Sequence, residues 1–305
     1  MKNYTTMVKK MKKIIKNYFN NGTEAFSKIL KECNFKKQSE VIVPVTLCKS
    51  IIDEIISCEL KPVFCDIDDD FIIKDIESKI TKKTKMIVFV EQYGFSIKNH
   101  LEYYNKSNER IIKVLDACQS NIKRSTGYDY IIYSFNKNKP ISIGKYSMVI
   151  SKKNIPDSIE LPIKIKFKLI FEYLLYYIKF IRKLYIKLYL KKNLKIKGYF
   201  INHKNMSLHR IVFVMNISKK NYERLDNCLY EYLNKYNINI VQTTIEINPY
   251  EELKIKEEFP NFEKLRYKTL YFRSVGKIND YKKVVKFINE VQNDKKNKTN
   301  RRNFK

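Results

Sequence analysis

The sequence of 305 residues contains few of the side chains that commonly hold a metal ion. It has three histidines, and none of its six cysteines forms a CxxC pair. Side chains that could ligate a metal ion are therefore few, and we predict no metal site. Most of the cysteines fall within apolar runs. We therefore expect reduced, buried thiols of a cytoplasmic protein rather than a disulfide framework.

Long hydrophobic runs are also missing. No stretch stays apolar over the about 20 residues that a membrane-spanning helix needs. The N-terminal residues, MKNYTTMVKKMKKIIKNYF, are basic but lack an uninterrupted apolar core and a small-residue cleavage site, so no signal peptide is predicted. With 44% hydrophobic and 13% aromatic residues, the chain has the composition of a globular protein.

Acidic residues are scarce relative to basic ones. The 61 Lys and Arg residues outnumber the 32 Asp and Glu residues, which gives a net charge of +29. Such a charge can attract nucleic acid, anionic lipid or a phosphorylated substrate. The excess is spread along the chain, together with many Asn and Ile residues, and this favours compositional bias. No basic motif interleaved with aromatics is present, so we do not predict a nucleic-acid partner.

The first half of the chain alternates apolar, β-branched runs with segments of helical periodicity. This pattern predicts an α/β fold, with a largely parallel sheet covered on both faces. Helices are predicted at 23–36, 49–58 and 72–80, and strands at 40–45, 61–68, 86–94, 111–120, 128–136 and 147–151. In such sheets, ligands bind at the carboxyl ends of the strands.

The pattern changes after Pro156. Residues 163–192 have helical periodicity with one apolar face, and eleven Lys or Arg residues but one acid occur between Pro162 and Gly198. We favour a core or subunit interface for this helix, and contact with a membrane surface is the alternative. The predicted organisation is a large α/β domain (1–155), a basic helical connector (156–200), a small α+β domain (201–293) and a disordered basic tail (294–305).

Three short segments carry side chains that are suited to chemistry. Asn21-Gly22-Thr23-Glu24 opens a helix, where unpaired N–H groups can bind an anion. Asp116 ends an apolar strand and is placed to enter a ligand crevice. Ser134 and Lys139 follow another strand, and a lysine in a partly desolvated cleft can serve as a nucleophile. Spacing alone would not select Lys139, because other lysines are near.

Five segments, in order and with compatible spacing, resemble the DegT/DnrJ/EryC1/StrS family of PLP-dependent sugar aminotransferases. The matching segments are NGTEAF (21–26), EVIVPVTLCKSIIDEIISCELKPVFCDID (40–68), FVEQYG (89–94), LDACQS (115–120) and SFNKNKPISIG (134–144). The resemblance is faint in the C-terminal half, where EEFPNFEKL and TLYFRSV are similar to the end of the family's small domain. It implies the aspartate-aminotransferase type of fold and a homodimer with sites at the interface.

The resemblance also implies roles for individual residues. Lys139 would form a Schiff base with pyridoxal 5'-phosphate (PLP), and Asp116 would keep the pyridine nitrogen protonated. The other implied cofactor contacts are Gln119 and Cys48 beside the ring, and Gly22, Thr23, Glu24 and Ser134 at the phosphate. The implied reaction moves an amino group from glutamate to a nucleotide-linked keto sugar, for a surface polysaccharide or an amino sugar.

The chain departs from the family pattern at several points, and two of them bear on activity. It begins close to the phosphate-binding segment, and Gly144-Lys145-Tyr146-Ser147 stands where the family commonly has Gly-Glu-Gly-Gly. A non-catalytic, PLP-binding relative with a regulatory role therefore remains an alternative. A basic protein that binds a membrane or nucleic acid through 163–192 is a further one.

Overall fold

The computed structural model describes residues 14–94, 111–120, 122, 127–136, 139–200, 210–238, 241–242, 253, 257–273 and 277–302. A seven-stranded sheet occupies the first half of the chain. Its strands are β1 (Ile15–Phe19), β2 (Glu40–Pro44), β3 (Lys61–Cys65), β4 (Thr84–Val90), β5 (Ile112–Asp116), β6 (Tyr130–Ser134) and β7 (Ser147–Ser151). The spatial order is β1-β7-β6-β5-β4-β2-β3. Strands β2 to β6 are mutually parallel, and β7 is antiparallel to both neighbours. The largely parallel α/β sheet is thus confirmed.

Apolar clusters bury both faces of this sheet, which explains why its strands are almost continuously hydrophobic. On β2, Val41 and Val43 face one cluster, and Ile42 faces the other. Helices α1 (Gly22–Cys33) and α2 (Lys49–Ser57) pack on the first face through their own buried apolar residues. The other face is covered by an isoleucine-rich loop between β3 and β4, and by partly buried residues of the later helix α3 (Ile163–Leu174).

A smaller, antiparallel sheet follows, with the order β10-β11-β9-β8. Its strands are β8 (Gly198–Phe200), β9 (Arg210–Met215), β10 (Val241–Gln242) and β11 (Thr269–Arg273), and the helices near it are α4 (Tyr176–Asn193), α5 (Lys219–Lys235), α6 (Pro260–Arg266) and α7 (Ile278–Arg302). A Cβ on Gly198 would lie 2.3 Å from the Val214 carbonyl oxygen, so the close approach of β8 to β9 requires glycine there.

Asp66, directly after β3, joins the two sheets. Its Oδ1 accepts a hydrogen bond from the Phe262 N–H at 3.0 Å, and its Oδ2 accepts one from the Asn261 N–H at 3.0 Å. Both donors lie in the first turn of α6, where backbone N–H groups lack partners within the helix. The buried carboxylate of the first half therefore caps a helix of the second half.

The long helix predicted at 163–192 is two helices, α3 and α4, with Leu175 between them. The prediction that its apolar face lies in the core is wrong for the residues whose burial is described. Phe167 is 67% exposed, Ile178 is 63% exposed and Ile181 is 68% exposed. The helices instead use other positions to contact the protein, including Ile186 and Leu190, which are buried in the cluster around the smaller sheet.

Other boundaries also differ from those predicted. The strands β1 and β8 were not predicted, and the helix predicted at 72–80 is a single turn of 3-10 helix at Glu77–Lys79. Helix α7 extends to Arg302, through the polar tail predicted from 294, because a helix already nucleated by packed turns can propagate into a polar sequence. All six cysteines are free. Cys65 is buried, Cys48 is exposed and the other four are half-buried, so the prediction of buried thiols holds fully for Cys65 and is wrong for Cys48.

Candidate functional site

A cleft of about 1420 Å³ lies at the carboxyl edge of the larger sheet. Its walls come from the ends of β4, β5 and β6, the first turns of α1 and α2, and Tyr271 of β11. The structure brings every predicted site residue into this cleft. They are Gly22, Thr23, Glu24, Cys48, Asp116, Gln119, Ser134 and Lys139.

The N-terminus of α1 forms an anion-binding end of the cleft. Asn21 is the N-cap, and its side-chain oxygen accepts from the Glu24 N–H at 2.9 Å. The Glu24 carboxylate turns back and accepts from the backbone N–H and the side-chain amide of Asn20, at 3.1 and 2.9 Å. The arrangement is similar to a capping box, except that the carboxylate returns to Asn20 instead of the N-cap residue, and it uses the Glu24 N–H. No described residue accepts from the N–H groups of Gly22 or Thr23, which leaves these two for a ligand.

Two further features shape this end of the cleft. The Ser147 hydroxyl donates to the Asn21 carbonyl oxygen at 2.7 Å, so the GKYS segment supports the cap of α1. A Cβ on Gly22 would lie 3.4 Å from Cys118 Sγ and 4.0 Å from Ser134 Cβ. A side chain there would occupy the space between the helix and the end of β6. The glycine therefore keeps room for a ligand group beside the free N–H groups.

Asp116 ends β5, paired with Val90 on β4 and Ile132 on β6. Its Oδ1 accepts a hydrogen bond from the Cys118 N–H at 2.9 Å, which fixes the carboxylate at the carboxyl end of the strand. Burial, reinforced by this carboxylate, raises the pKa of the Cys118 thiol well above its usual range. Cys118 is therefore a neutral packing residue, and Asp116 supplies the acidic group at this end of the cleft.

Gln119 is anchored by the segment after β4. Its Oε1 accepts from the Tyr93 N–H at 3.0 Å, and its Nε2 donates to Gln92 Oε1 at 3.4 Å. Tyr93 has a left-handed backbone, with φ 53° and ψ 13°, a strained conformation that is uncommon outside glycine. Its buried ring packs edge-on against Phe71, at 5.1 Å between centroids, and beside Tyr271 at 5.2 Å.

Lys139 lies in the turn after β6, where its backbone N–H donates to the Asn136 carbonyl at 3.1 Å. Ser134 ends β6, and its hydroxyl oxygen accepts a long hydrogen bond, 3.5 Å, from the Asn136 N–H. On the opposite wall, Cys48 is the exposed N-cap of α2, with its sulfur 3.4 Å from the Ser50 hydroxyl. Strand ends and helix starts thus place an amine, a hydroxyl and a thiol around one space.

Several other residues line the cleft without a role predicted from the sequence: Thr46, Gln92, Tyr93, Lys145, Tyr146 and Tyr271. The Thr46 hydroxyl is buried and has no hydrogen-bond partner among the described residues, which suits contact with a polar ligand. Gln92 and Tyr93 lie within the FVEQYG segment, so a signal existed for them. Tyr271 had none, because its place depends on how the smaller sheet docks. The described residues contain no cluster of metal-ligating side chains.

A parallel sheet of this order, with a smaller antiparallel sheet closing a cleft at its carboxyl edge, is the fold of the PLP-dependent transferases. The solved structure of PseC, a Helicobacter pylori aminotransferase involved in the biosynthesis of pseudoaminic acid, superposes with a TM-score of 0.72 at 15% identity. The alignment covers 90% of this chain and 86% of that one. A structure of NtdA from Bacillus subtilis with bound cofactor PMP gives 0.70 at 18% identity, over 90% and 73% of the two chains.

Residues 12–159, just under half of the chain, match the model of the DegT/DnrJ/EryC1/StrS aminotransferase family. A curated relative, GDP-perosamine synthase of Vibrio cholerae, is 28% identical over 145 residues. The aligned part is 44% of this chain and 39% of the relative, so the match spans about two fifths of that protein's length. The family resemblance seen in the sequence is thus confirmed for the half that carries the larger sheet.

Proposed function

We propose that the protein is a PLP-dependent aminotransferase that transfers an amino group from glutamate to a nucleotide-linked keto sugar. The observation that carries this proposal is the meeting of Lys139, Asp116, Ser134 and the free N–H groups of α1 in one cleft. These groups come from distant parts of the chain, and each is suited to a different part of a phosphorylated pyridine aldehyde.

The residues present fit this cofactor. The N–H groups of Gly22 and Thr23, at the positive end of the α1 dipole, and the Ser134 hydroxyl would hold the phosphate. The space kept open by Gly22 lies beside these donors. Asp116 would pair with the pyridine nitrogen, and Cys48 and Gln119 would border the ring. Glu24 would act through the cap of α1, since its own N–H is bound to Asn21.

Bound PLP supplies an aldehyde that condenses with amines and a ring that withdraws electrons from the attached carbon. The protein's own residues would control that chemistry. The Lys139 amine would hold the cofactor and carry a proton at Nζ. The Asp116 carboxylate would keep a proton on the ring nitrogen. The Gln119 amide, fixed by the Tyr93 N–H, would limit movement of the ring.

Three observations support a nucleotide-linked sugar as the substrate. The curated relative reported above is a GDP-perosamine synthase. The cleft, at about 1420 Å³, exceeds the roughly 300–1,000 Å³ of ordinary small-molecule pockets, so it has room for a cofactor and a large substrate. Lys31 and Lys145 also line it and offer positive charge to a diphosphate. We place this reaction in the cytoplasm, in surface-polysaccharide or amino-sugar biosynthesis, and the homodimer that the resemblance implies stays a prediction.

The alternative of a non-catalytic, PLP-binding relative rests on the GKYS segment. Tyr146 lines the cleft where the family commonly has glycine, and Lys145 lines it where the family commonly has glutamate. Ser147, however, supports the N-cap of the phosphate end, so this segment does not disrupt that part of the site. The two functions differ in whether glutamate is converted, and one experiment can separate them.

The test is a half-reaction with glutamate, followed by absorbance and by 2-oxoglutarate release. The protein loaded with PLP should show a visible cofactor band, which glutamate should bleach with release of 2-oxoglutarate. Lys139→Arg, which keeps the charge, should lose both effects. Lys113→Arg, near the amino end of β5 and outside the cleft, should keep both. A stable band that glutamate does not change would support the non-catalytic alternative. Absence of any band would contradict both.

A further inference from the structure

Helices α3 and α4 carry an exposed apolar face, here called the outer stripe. Its side chains are between 49% and 70% exposed. They are Ile163, Phe167, Ile170, Phe171, Ile178, Ile181, Leu184, Tyr185 and Leu188. Their spacing of mostly three or four residues places them on one side of the two helices. Such a contiguous apolar surface marks an interaction site in a soluble domain.

The chain does not need the outer stripe for its own core, because the opposite side of the helices already fills that role. On α3, Ile165 and Leu169 pack against the second face of the larger sheet. On α4, Ile186 is 1% exposed and Leu190 is fully buried among the residues of the smaller sheet. By helical periodicity these four residues lie opposite the outer stripe. Each helix therefore has two apolar sides, one turned inward and one outward.

Cations border the outer stripe on both margins. By helical periodicity, Lys164 and Arg182 lie along one side of it, and Lys166 and Lys191 lie along the other; all four residues are exposed. Between Pro162 and Gly198 there are eleven Lys or Arg residues and one acid, Glu172. An apolar stripe with aromatic residues, bordered by Lys and Arg, is the pattern of a helix that lies in the plane of a membrane surface.

We propose that the outer stripe binds the surface of an anionic lipid membrane, with α3 and α4 lying parallel to the bilayer. Negative lipid headgroups would match the bordering cations, whereas a second copy of the same stripe would bring like charges together. The long Lys and Arg side chains can reach the headgroups while the Phe, Ile and Leu side chains enter the acyl boundary. No helix in the described ranges is long and apolar enough to cross a bilayer, so the contact is with one surface.

The first test is flotation of the full-length protein with vesicles of phosphatidylcholine, with and without phosphatidylglycerol. We expect binding to the anionic vesicles that weakens as salt is added. The triple variant Phe171→Ser, Ile178→Ser, Ile181→Ser should lower the partition coefficient by more than about tenfold, because each change removes apolar area from the contact. The control Tyr230→Ser removes a side chain that is 69% exposed elsewhere, on α5, and should leave binding within about twofold.

The second test changes charge without touching the apolar residues. The variant Lys164→Gln, Lys166→Gln, Lys191→Gln should weaken anionic binding by more than about tenfold, since each basic residue near the surface contributes about fivefold. The control Lys36→Gln, Lys82→Gln, Lys83→Gln has the same net charge, but its changed residues lie far from the stripe in the chain. It should bind within about threefold of the unchanged protein.

Three results would overturn the membrane proposal. One is the absence of binding to anionic vesicles. Another is equal loss of binding in the charge variant and its control, which would show that net charge alone is responsible. The third is light scattering in which the serine variant alone changes from dimer to monomer, which would make the outer stripe a subunit interface. Thermal unfolding of each variant checks its fold, and none of these outcomes depends on aminotransferase activity.

Discussion

At the scale of single residues, the cleft holds two thiols in different surroundings. Cys118 packs beneath Gly22 next to the Asp116 carboxylate, and burial raises the pKa of its thiol. Cys48 is exposed on the opposite wall. Because the thiolate is the reactive form, burial should protect Cys118 and exposure should favour reaction of Cys48. Burial also raises the pKa of the Cys33 thiol to about 11 and that of the Cys65 thiol to about 12. These two thiols therefore contrast with the exposed Cys48 in the same way.

This contrast gives a prediction about alkylation. Iodoacetamide at mildly alkaline pH should modify Cys48 well before Cys118, as measured by peptide mapping over time. Added PLP should slow the modification of Cys48 if this residue borders the cofactor ring. Cys48→Ser should remove the fast phase and serves as the control. Equal rates at Cys48 and Cys118 would contradict the contrast between the exposed Cys48 and the half-buried Cys118.

The eight predicted site residues line one cleft, and the sequence indicated them because they stand in short segments that resemble one family. Their exact contacts could not be predicted from the sequence. Glu24 was predicted to offer its N–H to a phosphate, but the side chain of Asn21 takes that N–H. The hydrogen bond from Tyr93 to Gln119 likewise depends on a left-handed residue whose conformation no local pattern indicated.

At the scale of structural elements, Asp66 and Asp69 both connect the segment after β3 to helix α6, and they can be compared directly. Asp66 is buried and caps α6 with two hydrogen bonds, whereas Asp69 forms an exposed ion pair with Lys264 at 2.9 Å. Asp66→Ala should lower the free energy of unfolding by about 2–3 kcal/mol, because a buried and a half-buried N–H group lose a charged acceptor. Asp69→Ala should lower it by less than about 1 kcal/mol. Urea unfolding measures both, and similar losses would contradict the role of Asp66.

The amino edge of the larger sheet gives a prediction about pH. The buried Glu40 carboxylate accepts from the Thr81 hydroxyl at 2.5 Å and from Lys61 Nζ at 3.4 Å, and the first of these contacts lowers its pKa most. A lowered pKa in the folded state gives stability that is present above the ordinary Glu value, about 4.3, and is lost as the pH falls through the folded value. The carboxylate contacts hold together β2, β3 and the loop before β4.

The measurement compares the unchanged protein with Glu40→Gln by chemical unfolding at pH 7 and below pH 4. The variant should be less stable by about 1–3 kcal/mol at pH 7, and the difference should shrink in acid as the carboxylate takes up a proton. Thr81→Val should show the same trend with a smaller loss. A difference that stays constant across this pH range would exclude an ionised Glu40 as the stabilising group.

Most strands of the larger sheet could be predicted because burial on both faces makes them apolar throughout. Strand β1 escaped prediction because Lys16 and Asn17 interrupt its apolar character. The structure shows why Asn17 is tolerated: its side chain donates to the Ser151 hydroxyl at 3.3 Å and accepts from the Ile155 N–H at 3.0 Å. Such long-range partners leave no mark in the local sequence, so an edge strand held by them is hard to predict.

At the scale of the whole molecule, the cleft depends on two levels of organisation. The meeting of Gly22, Asp116 and Lys139 could be predicted, because the carboxyl ends of parallel strands share one edge of a sheet. The wall of the cleft that Tyr271 forms could not be predicted, because Tyr271 contacts Tyr93 only after the smaller sheet has docked. The exposure of the outer stripe is a similar case: the periodicity indicated an apolar face, but only the docked structure shows which side of the helices is already buried.

The most direct test of the central claim asks which lysine holds the cofactor. The protein is loaded with PLP, reduced with borohydride, digested and mapped by mass spectrometry. We predict a single major adduct at Lys139, with none in Lys139→Arg. Lys145 lines the same cleft and is the internal comparison. A major adduct at Lys145, or adducts spread over surface lysines, would contradict the assignment of this cleft as a PLP site built on Lys139.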